Sequence, residues 1–450
     1  MGVETETYSF ADLLSNIVDN RGKTCPVAEE GLPLIATNCV KNETLYPAFE
    51  KVRYVDEDTF ANWFRGHPEP GDMIFVTKGS PGNVCWTPEP VNFCIAQDMV
   101  AIRSDSEIVD SKYLFALLRS PATQARILNM HVGTLIPHFK KGDFKNLYFD
   151  ILADMGLQKE IGEIYFSFCE KIELNRQMNA TLESMAQAMF KSWFVDFDPV
   201  IDNALAVGNP IPEPLHTRAE ARKALGDKRK PLPETIQQRF PNCFVFNEEM
   251  GWLPEGWVIS KFQEIAEVVM GQSPKGDTYN TEGEGMPLVN GPVEFGPYFT
   301  QRTKWTTAPT KLSEDQDLVV CVRGSTTGRF VKSDGVYCLG RGVCSIRGKR
   351  SQAFVDYTFK YHKDALLGMT TGSTFPNWSG PTLKGFSIIK PSDVLLDVFE
   401  ELVGSLINKM CSNTVETENL CEIRDTLLPK LLSGNSESWK LNNRSQLANE

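Results

Sequence analysis

Residues 174–200 read LNRQMNATLESMAQAMFKSWFVDFDPV. The stretch begins as a polar helix and ends in aromatics, acids and a proline, near the middle of a 450-residue chain. Followed backwards, it belongs to a heptad that runs from Leu157 to Met189. One seam holds Ile161, Phe168, Asn175, Leu182 and Met189; the other holds Leu157, Ile164, Lys171, Met178 and Met185. Residues 396–431 carry the pattern again, with Phe399, Leu406, Asn413, Leu420 and Leu427 on one seam. Leu396, Val403, Met410, Thr417, Arg424 and Leu431 form its other seam. At an offset of 238, Asn175 falls on Asn413 and Lys171 on Lys409. One polar residue in an apolar seam lowers stability but fixes register and partner. The matched asparagines therefore favour a mutual coiled coil over two amphipathic helices that each pack on their own domain.

The helices close two similar globular halves. Residues 72–82 (DMIFVTKGSPG) match residues 317–327 (DLVVCVRGSTT) at an offset of 245. Each reads as an acid, a buried strand, a base and a Gly-Ser turn. Tyr113 and Phe115 match Tyr357 and Phe359; Gly133 and Pro137 match Gly372 and Pro376. The segments 32–35 (LPLI) and 286–289 (MPLV) lie upstream in each half. Ordered matches at a nearly constant offset indicate an internal repeat. The domains are drawn as 1–155 for the first globular half, 156–195 for the central helix, 196–256 for a linker, 257–393 for the second half, 394–434 for the C-terminal helix and 435–450 for a polar tail. The linker, with its Pro-rich stretches at 209–214 and 228–233, reads as extended or turn-forming. Asp198 and Pro199 end the first helix region sharply.

Composition bounds the function. With 41% hydrophobic and 23% charged residues, the chain is an ordinary globular one. It has no apolar run long enough for a membrane span. No apolar signal core follows Met1, and Glu6 stands where myristoylation needs Ser or Thr, so a cytoplasmic protein is expected. Eleven dispersed cysteines and five scattered histidines suggest small buried thiols, not a metal site. The net charge of −12 is unlike that of a free-standing DNA binder, which normally carries a basic surplus. The charge is uneven: residues 1–150 hold 14 Lys+Arg against 20 Asp+Glu, and residues 251–393 hold 16 against 14. Any nucleic-acid contact must come from local clusters, helped by a partner.

Residues 182–199 (LESMAQAMFKSWFVDFDP), Leu253 to Trp257 (LPEGW) and Gly271 to Pro274 (GQSP) resemble the specificity subunits of type I restriction-modification systems. The resemblance covers nearly the whole chain through its two-fold arrangement. It implies a mixed α+β fold: two similar α/β target recognition domains separated by two long antiparallel coiled-coil helices, a pseudo-two-fold internal repeat. It implies further that each domain reads part of a split double-stranded DNA target. The helices would bind two methyltransferase subunits, and restriction subunits could join. The chain itself would carry no cofactor; S-adenosylmethionine and ATP with Mg would serve the partners. The resemblance is not symmetric, since residues 196–199 have no equivalent after the second helix.

No catalytic motif stands. Asp198-Pro-Val and Asn209-Pro-Ile lack the second proline and aromatic of an amino-methyltransferase motif. Arg21-Gly-Lys-Thr24 has Ile17 where a phosphate loop needs glycine. Gly335, Gly340 and Gly342 lack dinucleotide-loop spacing, and Ser80 and Ser325 lack a nucleophile elbow. A non-catalytic subunit is expected. The rivals are a coiled-coil scaffold that binds no DNA and an enzyme with an unrecognised site.

Base edges are read by Arg, Lys, Asn, Gln, Ser and Thr, and phosphates are held by Lys, Arg, hydroxyls and backbone N–H groups. The repeat-matched loops offer Lys78 and Ser80 in the first half, and Arg323, Ser325, Thr326 and Arg329 in the second. Lys140 and Lys141 follow His138, and Asn377 lies at the matching place. Gln272 and Lys275 are further candidates. For any one of them a solvated loop residue is the competing reading, as it is for a phosphate patch at Arg341, Arg347, Lys349 and Arg350. Trp193, Phe194 and Phe197 are expected as anchors for a methyltransferase, with packing beneath their own domain as the rival.

A helix of about 35 residues spans about 50 Å, on the order of 15 base pairs. Adding one or two heptads to both helices is expected to lengthen the unread spacer of the split site. Methylation at an unchanged spacing in such a variant would refute the ruler.

Overall fold

The computed structural model describes residues 4–20, 24–130, 137–226, 231–369 and 376–432. It divides into two compact units, one running to Gln177 and resuming at Val415, the other running from Met178 to Thr414.

The units repeat one plan. The repeated part of each begins with a strand that pairs, antiparallel, with the strand before the long helix. These pairs are Thr5–Ser9 with Tyr148–Leu152 in unit 1 and Val258–Lys261 with Ser387–Lys390 in unit 2. Each has a four-stranded antiparallel sheet. In unit 1 its order is Leu14–Val18, Met99–Ser104, Met73–Val76 and Val84–Trp86; in unit 2 it is Ala266–Met270, Val343–Gly348, Leu318–Cys321 and Phe330–Lys332. A smaller sheet in each contains a parallel pair, Leu34 opposite Cys94 and Leu288 opposite Cys338. The central strands, Met73–Val76 and Leu318–Cys321, are wholly buried, which explains their unbroken apolar sequences. An acid precedes each: Asp72 is bound by Arg103 at 2.8 Å and Asp317 by Arg347 at 2.9 Å. The matched aromatics Tyr113, Phe115, Tyr357 and Phe359 lie in the cores beneath these sheets.

The long helices are Met155–Phe194 and Asp393–Leu432. Within each unit their segments run antiparallel. In unit 1 Asn175 donates to Glu416 at 2.9 Å and Lys171 pairs with the same carboxylate at 3.3 Å. In unit 2 Asn413 donates to Asn179 at 2.9 Å, and Trp193 and Phe194 meet the Phe399 ring. The second helix buries or half-buries the seams expected for it. In the first helix only one expected seam holds. Gln158, Tyr165, Ile172, Ala186 and Trp193 are buried, whereas Lys171 is exposed and Met185 is 51% exposed. The second seam therefore sits one residue later than expected. Its spacing from the first seam is four residues, then three; the reverse order had placed a lysine in the core.

Other expectations also change. Residues 196–256 are folded, not extended, in unit 2. Helices cover Asp198–Val207, His216–Leu225 and Glu234–Gln237, and a hairpin joins Phe244–Asn247 to Gly251–Pro254. Pro199 opens a new helix instead of merely ending one, as a residue without an N–H can. Residues 228–230 and the polar tail lie outside the described residues. Trp193, Phe194 and Phe197 are buried in the unit 2 core with Phe240, Trp257 and Phe399, so they cannot anchor a partner in this arrangement. Arg347 and Arg350 are engaged by acids, Arg347 with Asp317 and Glu314 and Arg350 with Asp397 and Asp393, which argues against a free phosphate patch there.

The 196–256 segment is fastened at Asp198. Its carboxylate is bound by Arg218 at 2.7 Å and by the Ser192 hydroxyl at 2.7 Å. Burial disfavours the charge, but these donors and the Arg222 guanidinium outweigh it and hold the carboxyl below its usual range. A depressed folded value stabilises above the unfolded value of about 3.9, and the gain is lost as pH falls through the folded one. Asp198→Asn is expected to lower the melting temperature at pH 7, with the gap from wild type closing as pH falls below the usual carboxylate range. A gap of constant size across that range would mean that the charge is not what holds the segment.

Candidate nucleic-acid interface

The central strand of each unit ends in the Gly-Ser turn. In unit 1, Gly79 and Gly82 take φ of +89° and +96°; in unit 2, Gly324 and Gly328 take +79° and +89°. Only glycine adopts such angles without strain. The second loop is one residue longer, and both close with the same bond: Gly82 N–H donates to Val76 O at 3.0 Å, and Gly328 N–H to Cys321 O at 2.9 Å.

Each turn is stitched to a second loop distant in sequence. In unit 1, Gly79 N–H donates to Pro137 O at 3.0 Å and Phe139 N–H to Thr77 O at 2.9 Å. In unit 2, Gly324 N–H donates to Pro376 O at 3.0 Å and Trp378 N–H to Val322 O at 2.9 Å. Lys78 is thereby set opposite His138, and Arg323 opposite Asn377, each as an antiparallel bridge. Phe139 and Trp378 plug into the cores below and fix the loops from beneath. In unit 2 Thr327 adds a side-chain stitch, its hydroxyl lying 2.8 Å from Gly324 O and 2.9 Å from Pro376 O.

The structure thus brings together Lys78 and Ser80 with the segment that leads into Lys140 and Lys141. It likewise brings Arg323, Ser325, Thr326 and Arg329 to the loop of Asn377. Ser80, Lys140, Arg323, Ser325 and Arg329 are exposed; Lys78, Lys141, Thr326 and Asn377 are half-buried. The Lys78 ammonium has an acid 3.7 Å away, Asp98. Gln272 and Lys275 are exposed on another loop of unit 2, whose backbone is tied by Gln272 N–H to Leu339 O at 2.8 Å. They are not part of the stitched pair. The matched residues 133–136 and 372–375 lie outside the described residues. Sequence reasoning placed His138, Thr327 and Trp378 within the candidate loops but gave none of the three a role of its own. The aromatic that follows His138 and Asn377 in both halves was the available signal.

Beneath the loops the chemistry is inert. Cys321 is pushed up to about 11 and Cys85 to about 12, in both cases chiefly by burial, so neither is a ready thiolate. Among the described residues no group of three His, Cys, Asp or Glu side chains could hold a metal ion. No helix of the described residues is long and apolar enough to cross a membrane.

Comparison with known proteins gives four findings. A model of the type I restriction modification DNA specificity domain matches residues 54–184. The chain is 26% identical over 396 residues to the type I restriction enzyme HindI specificity subunit of Haemophilus influenzae, covering 76% of this chain and 81% of that one. It is 30% identical over 148 residues to the putative type I restriction enzyme MjaX specificity subunit of Methanocaldococcus jannaschii, covering 32% and 35%. The crystal structure of a type I restriction-modification S subunit from M. genitalium shares the fold, with a TM-score of 0.55 and 16% identity over 96% of both chains.

The stitch can be tested by itself. Thr327→Val leaves two carbonyls without their hydroxyl and is expected to lower stability by about 1–2 kcal/mol, whereas Thr327→Ser should restore most of it. Denaturant midpoints that do not separate Val from Ser would show that the hydroxyl contributes nothing to the loop pair.

Proposed function

We propose, from this chain's membership of the type I restriction-modification specificity subunits, that it reads a two-part DNA sequence, one part with each unit. The observation that carries the reading is the duplication of the stitched loop pair. The strand frame and the main-chain stitching are the same twice, while the side chains presented differ: Lys78 and His138 in one, Arg323 and Asn377 in the other. One rigid frame with two sets of polar side chains suits two half-sites of different sequence. Hydroxyls and backbone N–H groups at the turns hold phosphates and set the register.

Chemistry comes from partners: two methyltransferase subunits that use S-adenosylmethionine to modify adenine, and restriction subunits that use ATP and Mg. The net charge of −12 supports shared binding, because a partner's basic groups must supply much of the phosphate contact. The long helices offer the docking surface. With Trp193, Phe194 and Phe197 buried, the large apolar residues left outside among the described residues of the helices are Leu174, Val415 and Ile423 on the unit 1 segments and Met185 and Val394 on the unit 2 segments.

The test is co-expression of the full chain with its neighbouring methyltransferase, followed by single-molecule sequencing of host DNA for modified adenines. A split motif that appears only when this chain is present is the expected result. A stable complex that modifies nothing, in DNA that carries every short motif, would overturn the DNA-reading role in favour of a scaffold.

A further inference from the structure

We infer that Arg323 and Asn377 together read two neighbouring purines, a guanine and an adenine, in the half-site of unit 2; this rests on the DNA-reading function proposed above. The bridge between them is of the non-hydrogen-bonded kind, because the bonds flank it: Gly324 N–H to Pro376 O and Trp378 N–H to Val322 O. Such partners have Cα atoms about 4.5 Å apart and side chains on the same face. Stacked base pairs rise about 3.4 Å per step, so two side chains so placed can meet two consecutive pairs. An arginine fork matches O6 and N7 of guanine, and a carboxamide matches N6 and N7 of adenine.

The state of the two side chains fits this role. Arg323 is exposed and makes no hydrogen bond or ion pair among the described residues. The Asn377 Oδ1 is shielded from solvent yet has no hydrogen-bond partner. Unit 1 supplies the contrast. There Thr77 N–H and Lys78 N–H donate to Asp98 O, and the Asp98 carboxylate neutralises Lys78. In unit 2 the corresponding carbonyl, the acceptor of Val322 N–H, belongs to Gly342. A Cβ at Gly342 would stand 2.2 Å from Asn290 O, so no acid can occupy that place. The frame of unit 2 therefore leaves its arginine without a carboxylate partner, and the Asn377 carboxamide gains a donor for its Oδ1 by turning outward onto a base.

The experiment uses the full chain in its co-expressed methyltransferase complex. Wild type, Arg323→Ala, Arg323→Lys, Asn377→Ala and a control at an exposed arginine away from both loop pairs, Arg239→Ala, are compared by sequencing modified adenines. The purified complexes are then titrated against duplexes with 7-deazaguanine or 7-deazaadenine at each purine of the motif. We expect Arg323→Ala to relax one guanine and Asn377→Ala to relax one adjacent adenine, both in the same half-site. The other half-site should still be read, which also certifies folding. In wild type, 7-deazaguanine at that position should weaken binding about tenfold or more, and in Arg323→Lys by less. Should a variant lose all modification, the deaza duplexes decide on wild type alone: two adjacent sensitive purines support the pair, and none overturns it. Uniform weakening on every sequence would make Arg323 a phosphate contact and overturn the inference while leaving the reading intact. A wild-type complex without a split motif would instead refute the reading itself.

Discussion

A buried asparagine amide must find a partner or forfeit its burial, and that requirement sets how the long helices meet. In unit 1 the Asn175 amide lies 3.4 Å from the Thr417 hydroxyl, and in unit 2 the Asn413 amide donates to Asn179 at 2.9 Å. These are one contact made twice, since Asn413 and Thr417 follow Asn175 and Asn179 at the same offset of 238. A slip by a heptad would set Asn175 against Met410 and Asn413 against Ile172 in one direction, and Asn175 against Arg424 and Asn413 against Ala186 in the other. Apolar seams alone tolerate such slips; a polar layer does not. Within each unit, the globular elements attached to the helix segments inherit their place from that register.

The paired loops are built on a second economy, the use of main-chain groups for the structural task. Val76 and Cys321 close the turns, and Thr77 and Val322 receive the second loops, all through carbonyl oxygens. The side chains beneath are aromatic plugs, Phe139 and Trp378, and the side chains above are polar. Main-chain fastening and exposed polar chemistry thus fall on different atoms of the same loops. Asp72 and Asp317 complete the scheme by anchoring the arginines of the neighbouring strand, which explains why an acid stands before each apolar run.

Much of this was legible in the sequence because repetition is a long-range signal that needs no structure. The strand 72–82 and its counterpart could be aligned by eye, and the strands at 32–35 and 286–289 adopt equivalent positions in the two small sheets. The second seam of the first helix was misplaced because Leu157, Ile164, Met178 and Met185 are also apolar. Periodicity cannot tell a four-three from a three-four spacing when both rows are greasy; Lys171 against Ile172 was the discriminating pair. Residues 196–256 misled for a different reason. Pro199, Pro214 and Pro233 read as breakers, but each stands at a helix start, where a missing N–H does no harm. The approach of the Asn377 loop to Arg323, and of His138 to Lys78, could not be foreseen, because it depends on tertiary closure across more than 50 residues.

The one-residue difference between the turns, Gly79 to Gly82 against Gly324 to Gly328, has an evolutionary meaning. Both lengths close onto the same carbonyl position and leave the sheet register untouched. The turn can therefore gain or lose residues, and its polar side chains can drift, without unfolding the chain. A lineage can vary these few positions while the rest of the sequence stays under ordinary selection for folding.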